Sequence, residues 1–369
     1  MGTGNGLQRA FAGATKVSLL VLGALCLLTV PALAGQARDG KGAEDALVWP
    51  APPEPPRIEF VQTFSRASDF GWKRSLWRKF LDWAKSDTDP SLLKQPYGVA
   101  VDSKGRIVVA DAGARDVKIF DPRDKSVKVV RGYKKTYFGS PVSVAVDDAQ
   151  HIYVCDSAAG RVLKYSRDGK FLLYIGGEEG AFKRPAAVAF SPANHDVYVL
   201  DAARPAVFTY TTEGRFIRRF GESGAGPGQF NFPTFVAVDR AGRLYINDTL
   251  NFRIQMFSPD GKFLAQFGHL GDGSGNINRP KGLALDSEGH IYVAEALFSV
   301  VQIFDTRGEY LLSFGKSGKR NGEFYIPAGV AVDESDHIYV ADPFQRRVEV
   351  FRYLPERHAA LPPAPGGAQ

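Results

Sequence analysis

The stretch "HIYVADPFQRRVEVF" (337–351) decides the fold, because five earlier stretches of the chain repeat it. With its lead-in it reads "PAGVAVDESDHIYVADPFQRRVEVF" from Pro327. The others are "PYGVAVDSKGRIVVADAGARDVKIF" from Pro96, "PVSVAVDDAQHIYVCDSAAGRVLKY" from Pro141 and "PAAVAFSPANHDVYVLDAARPAVFTY" from Pro185. "PTFVAVDRAGRLYINDTLNFRIQMF" starts at Pro233 and "PKGLALDSEGHIYVAEALFSVVQIF" at Pro280. Successive prolines are 45, 44, 48, 47 and 47 residues apart. Self-similarity at such a period marks a repeat architecture.

Each unit parses into strands. "GVAVD" is a short, nearly continuous apolar run, as a strand buried on both faces requires. "DSKG", "DRAG" and "DSEG" place Asp first and Gly last, the signature of a tight turn. "IYVAD" is rich in β-branched and aromatic residues. "RVEVF" alternates apolar with polar, which predicts a half-exposed third strand. Segments such as "GKFLAQFG" (261–268) and "GEYLLSFG" (308–315) supply a fourth. Four antiparallel strands at this period describe a propeller blade. Six units over 96–351 predict an all-β, six-bladed β-propeller of four-stranded antiparallel blades.

The pattern P-x-G-V-A-V-D…G-x-I-Y-V-A-D…N-x-R-V-Q-x-F resembles the NHL repeat, and "GAGPGQFNFPTFVAVD" with "NDTLNFRIQMF" matches it best here. The units depart from it in places. Phe190 replaces the first Asp in the third unit and Glu295 the second in the fifth. The Arg five residues after the second Asp is present as Arg161, Arg253 and Arg347, and is replaced by Asp116, Ala206 and Val300.

The sixth unit has only three strands before the chain turns into "RYLPERHAALPPAPGGAQ". An open blade edge is a liability in a closed ring. Upstream of the first unit, "PRIEFVQTFS" (56–65) has the pattern of a fourth strand. Residues 57–64 are therefore expected to form the outer strand of blade six, giving a propeller domain over 57–353.

Residues 1–34 read as a targeting segment. Arg9 and Lys16 precede the apolar run "VSLLVLGALCLLTV" (17–30), and "PALA" offers small residues for cleavage after Ala34. Residues 17–34 are also nearly long enough for a retained membrane anchor. The protein is thus expected to be exported, either periplasmic or secreted, or anchored through 17–34. Residues 35–56 read as a Pro-rich linker and 354–369 as a disordered tail. Once the export segment goes, Cys155 is alone, which excludes an internal disulfide and suits a small buried hydrophobe.

Between the closing strand and Pro96 lies an insertion, 67–90. Trp72, Leu76, Trp77, Phe80, Leu81 and Ala84 recur at helical spacing, with Lys73, Arg74, Arg78, Lys79, Asp82 and Lys85 on the other side. A basic amphipathic helix over 72–85 is expected, able to contact a membrane surface or a partner. Strand direction puts the insertion on the face that carries the turns between strands two and three. Those turns are small in blades one to three and bear Leu250, Phe252, Leu297, Phe298 and Phe344 in blades four to six. The apolar side of the helix is expected to rest on that patch.

Candidate chemistry is sparse. His151, His290 and His337 share one repeat position, so the template explains them better than a ligand cluster does. Asp111, Asp156, Asp201, Asp248, Glu295 and Asp342 recur likewise and are expected to accept loop amides and pair with the Arg five residues on. Residues beside the channel mouth, including Tyr97 and Lys281, do not compose a base, nucleophile and orienter. The Gly-rich segments 221–229 and 271–276 precede no helix and are not phosphate cradles.

No catalytic residue, metal site or cofactor is therefore expected. The favoured expectation is an exported, monomeric binding scaffold for a protein, peptide or glycan partner. Its contact residues would be Leu250, Phe252, Leu297, Phe298, Phe344, Tyr97, Lys281, Trp72 and Trp77. The alternative is a metal-dependent propeller hydrolase or lyase, of the kind that resemblance to amidating lyases and lactonases implies. A net charge of +6, part of it in the export segment, does not call for a nucleic-acid partner.

Overall fold

The computed structural model describes residues 47–72, 89–176 and 182–355. The expected export segment 1–34, most of the linker, the tail beyond Pro355 and the helix over 72–85 apart from Trp72 lie outside the described residues. So does Trp77.

Among the described residues six antiparallel blades are present, with two two-stranded ribbons in the connections, Gly132–Tyr133 with Thr136–Tyr137 and Glu222–Ser223 with Gln229–Phe230. Blade one pairs Pro96–Val101, Ile107–Asp111, Asp116–Asp121 and Ser126–Val130 in order, and blades two to five repeat that meander. Blade six is built from both ends of the domain. Val330–Val332, His337–Asp342 and Arg347–Tyr353 form its inner part, and Ile58–Phe64 pairs antiparallel with Arg347–Tyr353. The register sets Ile58 opposite Tyr353 and Phe64 opposite Val348, with one irregularity at Val61. The expected closure is therefore observed.

Blade six also has a fifth strand. Val48–Trp49, assigned to the linker from sequence, pairs with Ile58 and Glu59 on the outside. The Trp49 ring lies 6.0 Å from that of Phe314 and 5.7 Å from that of Phe351, centroid to centroid. A tryptophan gains enough burial there to order a two-residue strand.

The core is six cores. Each hydrophobic cluster fills the seam between neighbouring blades: Val108, Ala110 and Ile119 of blade one meet Val144, Val154 and Leu163 of blade two. The last seam joins Tyr339, Ala341 and Val348 of blade six, with Phe64, to Val99, Val109 and Phe120 of blade one. Every blade is thus covered on both faces, and this corrects the reading of the third strands. They are not half-exposed; Lys118, Thr209, Gln255, Gln302 and Glu349 are all buried. Their polar groups must then be satisfied internally.

Candidate functional site

The ring of second-strand acids shows how the loop face is held. Each carboxylate accepts backbone amides from the two residues that precede its blade's first strand, or from one of them. Asp111 takes the amides of Lys94 and Gln95 at 2.7 and 2.8 Å, Asp201 those of Lys183 and Arg184, and Glu295 those of Asn278 and Arg279. Asp248 takes Asn231, and Asp342 takes Tyr325. All six acids are fully buried, so they are anchors and not ligands.

A buried carboxylate needs compensation, and the blades find it differently. In blades two and four the expected arginines serve, Arg161 beside Asp156 and Arg253 Nε 2.8 Å from Asp248. Blade one has Asp116 where the arginine would be. There Lys118, two residues on, puts its Nζ 2.8 Å from Asp111 and 2.6 Å from Asp116. Blade three uses Arg204 of the turn. Blade five hydrogen-bonds Glu295 only to amides, and burial raises its carboxyl above the ordinary range, with those bonds and the Arg279 charge opposing. In blade six Arg347 does not pair with Asp342. It turns to Glu349 and to the carbonyls of Lys319, Arg320 and Glu323, while Gln345 serves Asp342.

The Gly-rich loops are tied to the third strands. The amides of Gly228, Gly275 and Gly322 donate to Gln255, Gln302 and Glu349, each 27 residues further on. These glycines have φ of 77°, 83° and 72°, a region that favours glycine. The ties let Phe230, Ile277 and Phe324 plug the seams, fully buried.

On this scaffold sits the loop face. Leu250, Leu297 and Phe344 are more than half exposed, at 51%, 57% and 59%. Phe252 and Phe298 are half-buried, and Phe252 holds the left-handed end of its turn at φ 57°. The structure adds two members that sequence reading missed, Phe232 and Tyr325, both exposed on the lead-in to an inner strand. Tyr325 packs edge-on to Phe344 at 5.6 Å, and the Arg184 guanidinium lies 5.2 Å over the Phe232 ring. Their places one and two residues ahead of an inner proline, Pro233 and Pro327, were the available signal. Tyr97 and Lys281 are half-buried where their first strands bulge, so each stands out from the ladder at the mouth. Trp72 is elsewhere: it stacks on Phe70 at 4.6 Å and packs at the seam of blades six and one, away from the turns of blades four and five.

Inner strands meet backbone to backbone. Gly282 donates its amide to Ala328 O at 2.6 Å, and Gly329 to Tyr97 O at 2.8 Å. A Cβ on Gly98, Gly282 or Gly329 would come within 2.7 Å of a carbonyl in the next blade. That is the physical reason for the glycine in the P-x-G opening.

The opposite face carries a second repeated device. Asp147, Asp286 and Asp333 each accept Nδ1 of the histidine four residues on and the hydroxyl of the tyrosine six residues on. Arg106 and Arg243 stand in the histidine position of two other blades. Each histidine is thus committed to its own turn. Among the described residues no group of three or more His, Cys, Asp or Glu is disposed to hold a metal ion. A cleft of about 500 Å³ opens beside His290, between Leu311, Arg57 and Tyr353, but the Tyr353 hydroxyl is bonded to Glu288 at 3.0 Å and His290 to Asp286 at 2.8 Å. Cys155 is buried, and burial pushes its thiol up and away from reactivity.

Fold and loop architecture define a six-bladed β-propeller. The NHL repeat model matches residues 138–165 and 324–347, so blades two and six of this propeller carry NHL repeats. Comparison with curated proteins finds no match. Among solved structures, virginiamycin B lyase from Staphylococcus aureus is similar with a TM-score of 0.52 and 14% identity, over 71% of this chain and 96% of that one. A gluconolactonase from Xanthomonas campestris gives 0.53 and 16%, over 71% and 87%. An auxiliary nutrient binding protein from Bacteroides thetaiotaomicron gives 0.55 and 13%, over 71% and 69%. At these identities the likeness is one of fold.

Proposed function

We propose that this NHL-repeat propeller is a non-catalytic binding scaffold in the cell envelope, exported by its N-terminal segment, and that it engages a protein, peptide or glycan through the loop face. The observation that carries this reading is the exposure of Leu250, Leu297, Tyr325 and Phe344 together on one face of a chain whose second-strand carboxylates on that face are already spent on its own loops. Clustered exposed aromatic and aliphatic side chains on a rigid frame are what binding surfaces share. Lyase and lactonase activity belongs to two of the structural neighbours. Here the histidines serve turns on the opposite face.

The test is affinity capture from the envelope of the producing cell, with wild type against Leu250→Ser/Leu297→Ser/Phe344→Ser. Loss of the captured partner from the variant, with an unchanged melting temperature, supports the reading. Equal capture by both, or turnover of a lactone or streptogramin by the purified protein, removes it.

A further inference from the structure

We infer that the partner on the loop face is an acidic protein segment carrying aliphatic or aromatic side chains; this deepens, and rests on, the binding-face reading above. The argument is one of sign. Around the axial mouth the exposed positions are the two residues before each inner strand, the residue after its proline, and the turn between strands two and three. None of them is acidic in any blade. The basic ones are Lys94, Arg115, Lys183, Arg184, Arg279 and Arg346, all exposed, with Lys281 half-buried beside them and Arg204 half-buried and paired with Asp201. The acids beneath these positions, the six second-strand carboxylates and Asp116, are buried and bonded to amides or internal cations. Lys94 and Lys183 reach those carboxylates through their backbone amides and leave their side chains exposed, whereas the Arg279 charge is partly offset by Glu295 beneath it.

Fixed positive charge around a low-dielectric aromatic floor draws and orients an anionic partner. Arginine is suited to carboxylate groups through its planar fork. The leucines decide between anionic classes. Leu250 and Leu297 offer nothing to a sugar ring or a nucleobase that the aromatics do not offer better, whereas they match the aliphatic side chains of a peptide. The chain's own insertion 73–88 has the wrong sign for this site, since Lys73, Arg74, Arg78, Lys79 and Lys85 outnumber Asp82 and Asp87.

The experiment is a random-peptide display selection on the full-length protein. Selected peptides are then synthesised and measured by fluorescence anisotropy at low and high salt. Enrichment of acidic peptides bearing Leu, Phe or Trp is expected. Their binding should weaken about tenfold or more in Lys94→Glu/Arg184→Glu/Arg279→Glu and with added salt. It should also weaken in Leu250→Ser/Leu297→Ser/Phe344→Ser, with circular dichroism unchanged in both variants. Enriched peptides that are neutral or basic, and that need the apolar residues only, overturn the acidic assignment and leave the binding face standing. Binding indifferent to both variants, or no enrichment over the charge-reversed protein, overturns the face and the inference together. Single-stranded RNA or an oligouronate that outcompetes the best acidic peptide at the same residues overturns the choice of a protein segment.

Discussion

Gly329 donates its backbone amide to the carbonyl oxygen of Tyr97 at 2.8 Å, so the last blade is joined to the first at the axis as well as at the rim. A Cβ on Gly329 would sit 2.4 Å from that oxygen. Gly329→Ala should therefore force the first and last inner strands apart and lower stability by about 1–3 kcal/mol. Thermal unfolding checks it. Gly105→Ala is the control for backbone strain alone, because its Cβ would meet nothing within 4 Å although its φ is 76°.

Lys118 offers a direct test of the buried charges. It neutralises Asp111 and Asp116 at once, and it is 1% exposed. Lys118→Met should cost about 3–5 kcal/mol, because two carboxylates stay buried without a cation. Adding Asp116→Val, as blade five has Val300, should return part of that loss in denaturant unfolding.

Glu349 gives the protein a pH dependence. Burial pushes its carboxyl up to about 7, above the ordinary 4.5, with Arg347 opposing. The folded state then binds more protons than the unfolded one between these values, so stability from this group is present below about 4.5 and lost as pH rises to about 7. The loss should be on the order of 2–3 kcal/mol. Glu349→Gln should flatten that slope in melts at pH 5 to 8 while keeping an acceptor for the Gly322 amide.

Phe64 is fully buried in the closing strand, 5.3 Å from the Phe120 ring in blade one. Phe64→Ala should cost about 3–5 kcal/mol. Removing residues 47–49, which add only the outermost strand, should cost less than Phe64→Ala. Paired melting curves decide; equal losses would mean that the fifth strand holds the closure.

The blade count, the strand order and the closure were legible because hydrophobic period and turn chemistry repeat six times, and because a missing strand at one end matched a surplus one at the other. The third strands were misread. "RVEVF" alternates as a half-exposed strand would, yet Glu349 is buried, since alternation reports the chemistry of two faces and not whether a neighbouring blade covers both. Substitution of Arg by Asp116 looked like a lapse from the repeat until Lys118 was seen beside it. Phe232 and Tyr325 were passed over because each precedes a strand instead of lying in a turn. Val48–Trp49 gave too short a pattern to separate from proline-rich surroundings.

Pairing of the first strand with the last has a consequence in time. Glu59 meets Arg352 across 293 residues of sequence. At about 5–20 residues per second, a ribosome takes roughly 15–60 s between making these two. Throughout that interval Ile58–Phe64 lacks its blade-six neighbour, Arg347–Tyr353, and the hydrogen-bonding edge that will meet it is open to other chains. A holdase that binds nascent "IEFVQTF" would guard the step at which this molecule is most open to misassembly.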